Sequence, residues 1–166
     1  MTLAKTLLQK VPEWRPAAHI REVLAISAED SGWRLRISAD RCDELAAALW
    51  DLTFERFGEH GVLTIEQLRS WAANAARTHG LPEPLTVLEV DAARGEALLR
   101  SADPTERDDA LLYYEIVLSA QGRARVCRYR AGRDRGEREQ TPFVLTHEAL
   151  ASLSAELTET AVTPSV

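Results

Sequence analysis

The feature that most constrains the fold is the stretch of residues 38–58, SADRCDELAAALWDLTFERFG, in which apolar and acidic side chains recur at helical spacing. Ser38 or Asp40 offers an N-cap oxygen, and Gly58 stands where a left-handed residue ends a helix. At about 100° per residue, one set of side chains covers roughly half of a helical cylinder. The set is Cys42, Leu45, Ala46, Leu49, Trp50, Leu52, Thr53, Phe54 and Phe57. A surface helix has a narrower stripe, so the pattern predicts a long central helix packed between a sheet and a second helix.

The segments around this stretch predict strands and shorter helices. Residues 32–38 alternate apolar and charged side chains, which indicates a strand, and residues 18–27 either pair with it as a hairpin or form a helix. Thr64 and Gln67 form a capping box that opens a helix over 65–79, and Thr146 opens a last helix. Four further strands form a meander over residues 85–91, 96–101, 111–119 and 123–131, with a polar loop over 102–110 between the second and the third.

Together these elements predict an α+β fold. The sheet is expected to be mostly antiparallel, a hairpin followed by a four-stranded meander, with about three helices packed on one face. The length of 166 residues suits one domain. We expect an N-terminal arm over 1–17, a single α+β domain over 18–159 and a flexible tail over 160–166.

Composition indicates a protein of the cytoplasm. Cys42 and Cys127 are the only cysteines, which gives neither a disulfide framework nor a metal knuckle. No signal segment opens the printed sequence, and no run approaches the ~20 apolar residues of a membrane span, so no membrane partner is expected. Basic charge is carried almost entirely by arginine beside abundant alanine, which suggests a GC-rich bacterial gene.

The sharpest anomaly is the arginine-rich segment from Arg123 to Glu139. Its seven arginines oppose three acidic residues, so the segment carries +4 and the rest of the chain −10, within a net charge of −6. Such a split points to an anionic partner. The candidate binding residues are Arg123, Arg125, Arg128, Arg130, Arg133 and Arg135. The same arginines also suit a strand edge protected against unwanted pairing, or ion pairs with acidic residues of the chain itself.

Other titratable residues carry no recognisable chemistry. The four histidines, His19, His60, His79 and His147, lack the spacing of a helical metal site. The acidic loop with Asp103, Glu106, Asp108 and Asp109 lacks the ligand spacing and central glycine of an EF-hand. We therefore expect no metal, no cofactor and no catalytic residue from the sequence.

The sequence favours a small bacterial protein-interaction or assembly module without catalytic activity. Its arginine-rich hairpin would contact an acidic protein surface, either of a partner or of a second copy in a homodimer. The alternative is binding of nucleic acid or a phosphate ligand through the same arginines, which the negative net charge makes less favourable. A second alternative is an enzyme whose acid–base residues converge from distant positions.

Overall fold

The computed structural model describes residues 1–17, 19–132 and 136–161. Over these residues the protein is α+β, with ten strands in one sheet whose pairings are antiparallel, and three α-helices. The strands are β1 Glu22–Ala28, β2 Trp33–Cys42, β3 Ala46–Arg56, β4 Leu85–Asp91, β5 Glu96–Ser101, β6 Thr105–Arg107, β7 Ala110–Ser119, β8 Arg123–Gly132, β9 Arg138–Thr141 and β10 Phe143–Thr146. The helices are α1 Leu3–Lys10, α2 Ile65–Ala75 and α3 His147–Thr160.

The prediction of a central helix over residues 38–58 is wrong. The segment contains the end of β2, a tight turn and the whole of β3. In the turn, the Asp43 carboxylate accepts hydrogen bonds from the backbone N–H groups of Leu45 and Ala46, at 2.7 and 2.9 Å. Asp43 thus reverses the chain between two strands, at a position that a helix capped by Asp40 would have placed in its first turn. Leu45, expected on the buried face, is 77% exposed at the tip of this turn.

A register break explains why the segment resembles a helix. Between β2 and β3, Ser38 pairs with Asp51 and Ala39 pairs with Leu49, so that Trp50 is an extra residue on β3. The extra residue shifts the alternation by one position, as a β-bulge does. Leu49 and the next core residue on this strand, Leu52, are therefore three positions apart. A helix also places residues three positions apart on one face, so the pattern fits both structures.

β3 changes its partner along its length. On the side away from β2, residues 51–55 of β3 pair with β8, whereas residues 46–49 pair with β10. β8 in turn pairs with β9 through residues 128–131. The sheet therefore forks beyond the last pair that β3 and β8 share, Asp51 with Cys127, and β9 and β10 occupy the two arms of this fork. The main strand order is β1-β2-β3-β8-β7-β5-β4.

Two of the predicted helix starts are confirmed. The Thr64 hydroxyl accepts from the Gln67 amide at 3.1 Å, and the Gln67 side chain accepts from the Thr64 amide at 2.9 Å, so both halves of the capping box are formed. Thr146 likewise accepts from the Ala149 amide and caps α3. α2 ends at Ala75, four residues before the end that its pattern predicted, and the chain then turns towards β4.

The core joins alternate strand residues to the apolar faces of all three helices. Leu7 of α1, Leu68 of α2 and Leu153 of α3 lie in one cluster with strand residues. The strand members include Leu35, Ile37, Leu49, Leu52, Phe54, Leu99, Ile116, Leu118, Ala124 and Val126. The helices are also tied together directly, because the Trp71 indole of α2 donates to the Leu157 carbonyl of α3 at 2.9 Å. The segment expected as an arm thus contributes α1 to the core, whereas residues 162–166 of the expected tail lie outside the described residues.

Two leucines test the strand assignment of β3. Leu49 and Leu45 would share one face of a helix, but Leu49 is fully buried and Leu45 lies exposed in the turn. We expect Leu49→Ala to lower the free energy of unfolding by about 2–5 kcal/mol, because it leaves a core cavity. Leu45→Ala should change it by no more than about 0.5 kcal/mol. Urea denaturation of the two variants gives the comparison, and similar losses in both would contradict the strand register.

A second pair of variants tests the contact between α3 and the segment after α2. A Cβ added at Gly80 would lie 2.5 Å from the Leu153 Cβ and 2.7 Å from its backbone nitrogen, whereas a Cβ at Gly61 meets no atom within 4 Å. We expect Gly80→Ala to destabilise the fold by about 1–3 kcal/mol through overpacking. Gly61→Ala is the matched control and should be nearly neutral in thermal melts. Neutral behaviour of both variants would contradict this close approach.

Candidate functional site

The alternation of β8 divides the predicted arginines between the two faces of the sheet. Arg123 and Arg125 lie on one face, in register with Glu55 and Thr53 of β3. Arg128 and Arg130 lie on the opposite face, because an odd number of positions separates Arg125 from Arg128. Arg133 and Arg135 lie outside the described residues. β8 has neighbours on both sides, so the interpretation as a protected strand edge is wrong for Arg123, Arg125, Arg128 and Arg130.

We call the sheet surface that carries Arg123 and Arg125 the polar face. Its members alternate with the core residues and include Arg34 and Arg36 on β2, Asp51, Thr53 and Glu55 on β3, Arg123, Arg125, Cys127 and Tyr129 on β8, Tyr113 and Glu115 on β7 and Arg100 on β5. Its ion pairs between β3 and β8 are loose. The Arg123–Glu55 and Arg125–Asp51 distances are 3.5 and 3.8 Å, and both guanidinium groups are substantially exposed.

A tight cluster around Glu115 forms the centre of the polar face. Arg100 Nε donates to Glu115 Oε2 at 2.8 Å, and Arg138 of β9 donates to both carboxylate oxygens, at 2.6 and 3.2 Å. The Glu115 side chain is only 5% exposed. The Arg138 guanidinium also lies over the Tyr129 ring at 3.8 Å, and its hydrogen bonds to Glu115 raise its pKa. Sequence reasoning missed this cluster, although a single glutamate within the apolar run LLYYEIVLS was a signal that it needs partners.

The groups beside this cluster are held in their protonated forms. Burial raises the pKa of the Cys127 thiol above its ordinary value, and Arg125 opposes this only in part. Burial also raises the pKa of the Tyr129 hydroxyl, with Cys127 adding to the effect. A thiol acts as a nucleophile only as the thiolate, so its raised pKa opposes such a role for Cys127. Glu115 forms ion pairs with two arginines. The cluster is therefore better suited to stabilising the fold than to acid–base chemistry.

A cleft of about 770 Å³ lies beside the sheet fork, and we call it the fork cleft. Arg128 of β8 and Glu83, from the segment between α2 and β4, line it together with Tyr114 of β7. Arg128 Nη2 is 4.0 Å from Glu83 Oε1, and its guanidinium lies 5.1 Å from the centre of the Tyr114 ring. Burial raises the pKa of the Tyr114 hydroxyl, which therefore stays protonated at neutral pH. Apolar walls come from Ala48, Pro82, Pro142, Phe143 and Val144.

The described residues do not bring together three histidine, cysteine or acidic side chains in an arrangement suited to a metal ion. His147 starts α3 and is buried. Its Nε2 lies 2.7 Å from the Asp43 carbonyl oxygen, so the ring connects α3 to the turn between β2 and β3.

The acidic segment predicted as a loop over 102–110 contains a strand, since β6 pairs with β7. Asp108 and Asp109 make the turn between them with positive φ angles of 48° and 59°.

No protein-family model, curated protein or solved structure matches this chain. Within the described ranges, none of the helices combines the length and the apolar character that crossing a membrane requires. The case for a function therefore depends on the polar face and the fork cleft.

A comparison of two glutamates tests the central cluster. Glu115→Gln keeps the size of the side chain but removes the charge that holds Arg100 and Arg138. We expect it to cost about 1–3 kcal/mol of unfolding free energy, as the loss of charged, mostly buried hydrogen bonds does. Glu55→Gln, at the exposed pair with Arg123, should cost less than about 1 kcal/mol. Chemical denaturation measures the unfolding free energy of both variants. An equally small loss in the two would show that the ion pairs of Glu115 do not stabilise the fold.

Proposed function

We propose that this protein is an interaction module without catalytic activity, and that it binds an acidic segment of another protein on its polar face. The observation that carries the proposal is the row of exposed arginines on β2 and β8. Arg34 and Arg36 are exposed, and neither has an ion pair with a described residue. Arg123 and Arg125 on β8 belong to the same face and make only loose ion pairs.

In this proposal, the three helices lie together on the other face of the sheet. Core residues of β2, β3, β7 and β8 share one cluster with apolar residues of α1, α2 and α3, which supports this arrangement. A sheet face without helices is then available to a partner. Neighbouring strands lie about 4.8 Å apart, so the arginine rows of β2 and β8, with β3 between them, are separated by roughly 10 Å. An extended acidic segment of another chain lies within reach of both rows.

The exposed arginines suit carboxylate groups. A guanidinium presents several donors in a planar fork and binds a carboxylate through two parallel hydrogen bonds. The carboxylates of Asp51 and Glu55 lie between the two rows, and they make only loose ion pairs, with the two β8 arginines. Charge complementarity of this kind mainly sets specificity and association rate, so the binding should be fast and sensitive to salt.

Nucleic acid is less well suited to this face. Single-stranded nucleic acid binds to arginines accompanied by aromatic rings that are free to stack on bases. The two tyrosines of the face are occupied, because Tyr113 is 9% exposed and the Tyr129 ring is covered by Arg138. The net charge of −6 also repels a polyanion at long range.

A symmetric homodimer through the polar face is also less favourable. A two-fold interface places the same patch against itself, so the arginines of each copy would depend on Asp51 and Glu55 of the other copy, and these carboxylates already contact Arg125 and Arg123. A second copy that presents a different, acidic surface remains compatible with the charges, and sedimentation measures it directly. An acidic segment of a different protein satisfies the arginines without this restriction.

The proposal is tested with a double variant that reverses charge on the polar face. We expect Arg36→Glu with Arg125→Glu to abolish binding of fluorescein-labelled poly-L-glutamate, measured by fluorescence anisotropy at low salt. The matched control is Arg107→Glu with Arg130→Glu, which makes the same charge change on the opposite face of the sheet. The control should retain most of the binding, and added salt should weaken binding by the unaltered protein.

Three outcomes would contradict the proposal. The first is no binding of poly-L-glutamate by the unaltered protein, and the second is equal loss in both double variants. The third is tighter binding of an oligothymidylate than of poly-L-glutamate, lost in the polar-face variant, which would favour the nucleic-acid alternative. Sedimentation velocity at low salt separately detects self-association, and a dimer that the polar-face variant disrupts would make a second copy the partner.

A further inference from the structure

We propose that the fork cleft binds a small zwitterion, a free amino acid with an apolar side chain. The inference starts from Arg128, whose guanidinium makes no hydrogen bond with any described residue. Its side chain is only 22% exposed, and its Nε–H is buried without a partner. The buried Nε has no contact with solvent, so the part of Arg128 that a ligand can reach is the exposed end of its guanidinium, which lines the cleft. An arginine with unused donors at the wall of a cleft indicates an anionic group supplied from outside.

Glu83 supplies the complementary half of the site. Its Oε1 accepts a hydrogen bond from the Thr105 hydroxyl at 2.7 Å, which fixes the carboxylate, while its buried Oε2 has no partner. Oε1 is also 4.0 Å from Arg128 Nη2, so the two charges attract each other without a direct hydrogen bond. The cleft therefore holds a guanidinium and a carboxylate side by side, each with unused hydrogen-bonding capacity.

The balance of charge in the cleft selects the class of ligand. Besides Arg128 and Glu83, its charged lining consists of Arg41 and Asp40, so two arginines face two carboxylates. A polyanion would meet as much repulsion as attraction, whereas a ligand with one carboxylate and one ammonium matches the pair. We assign the ligand carboxylate to Arg128 and the ligand ammonium to Glu83.

The shape and walls of the cleft agree with this ligand. A volume of about 770 Å³ falls within the range of small-molecule sites. Phe143, Val144 and two prolines form apolar surface for the ligand side chain. The Tyr114 ring, 5.1 Å from the Arg128 guanidinium, orients that guanidinium by a cation–π contact, so the cation is held in place before the ligand arrives.

The site lies away from the polar face, so it can be tested independently of the proposed function. Arg128 lies on the opposite face of β8 from Arg123 and Arg125, and Arg123 therefore serves as a control. The probe is L-phenylalanine, with 3-phenylpropionate as the analogue without an ammonium and phenethylamine as the analogue without a carboxylate. Titration is followed by ¹H–¹⁵N correlation spectra that include the arginine Nε–H signals.

We expect L-phenylalanine to shift the Arg128 Nε–H signal in a saturable way. Each analogue should bind at least about tenfold more weakly, since each loses one of the two charged contacts. Arg128→Gln and Glu83→Gln should each weaken phenylalanine binding by a similar factor, and Arg123→Gln should leave it unchanged.

The proposal fails if L-phenylalanine shifts no signal up to its solubility, or if Arg128→Gln binds it as the unaltered protein does. Equal affinity for L-phenylalanine and 3-phenylpropionate would overturn the assignment of the ammonium to Glu83. The analogue series uses the unaltered protein, so these outcomes remain decisive even where a variant fails to fold.

Discussion

The register break between β2 and β3 is the constraint on which the rest of the structure depends. Trp50 is the extra residue on β3, and its indole donates to Asp40 at 3.2 Å while the Arg21 guanidinium lies over its ring at 3.8 Å. Gln140 of β9 donates to the Trp50 carbonyl, which ties the break to the other arm of the fork. A bulge bends its strand, and β3 beyond this point pairs with β10 in place of β8. The fork and its cleft follow from this change of partner.

Elements with a clear local pattern could be predicted from the sequence, as β4 over Leu85–Asp91 and β5 over Glu96–Ser101 were, whereas the strands of residues 38–58 could not. The capping box of Thr64 and Gln67 is local, and the start of α2 was predicted correctly. Residues 38–58 contain alanine and leucine, acidic residues near the expected N-terminus, and an apolar spacing of three that a bulge also produces. Their propensities favour a helix, but pairing with β2, β8 and β10 determines the outcome, and the partners on β8 and β10 are distant in sequence.

The candidate sites likewise combine features that could be predicted from the sequence with features that could not. The positions of Arg125 and Arg128 within a predicted strand were enough to place them on opposite faces, because side chains alternate along a strand. The partners of Glu115 were beyond reach of the sequence, since Arg100 and Arg138 are 15 and 23 positions away on other strands. Glu83 enters the fork cleft from the segment after α2, so its approach to Arg128 depends on the packing of the whole fold.

Arg138 and Arg128 illustrate two states of an arginine beside an aromatic ring. Arg138 donates two hydrogen bonds to Glu115 and covers the Tyr129 ring, so it stabilises the polar face. Arg128 lies near Tyr114 without a hydrogen bond to a described residue, and Glu83 keeps one oxygen unpaired. A ligand in the cleft reaches the exposed end of the guanidinium and the outer part of the carboxylate rather than the buried Arg128 Nε and Glu83 Oε2. An anion alone would meet only Arg128, whereas a ligand that carries both charges also meets Glu83, which favours a zwitterion in this cleft.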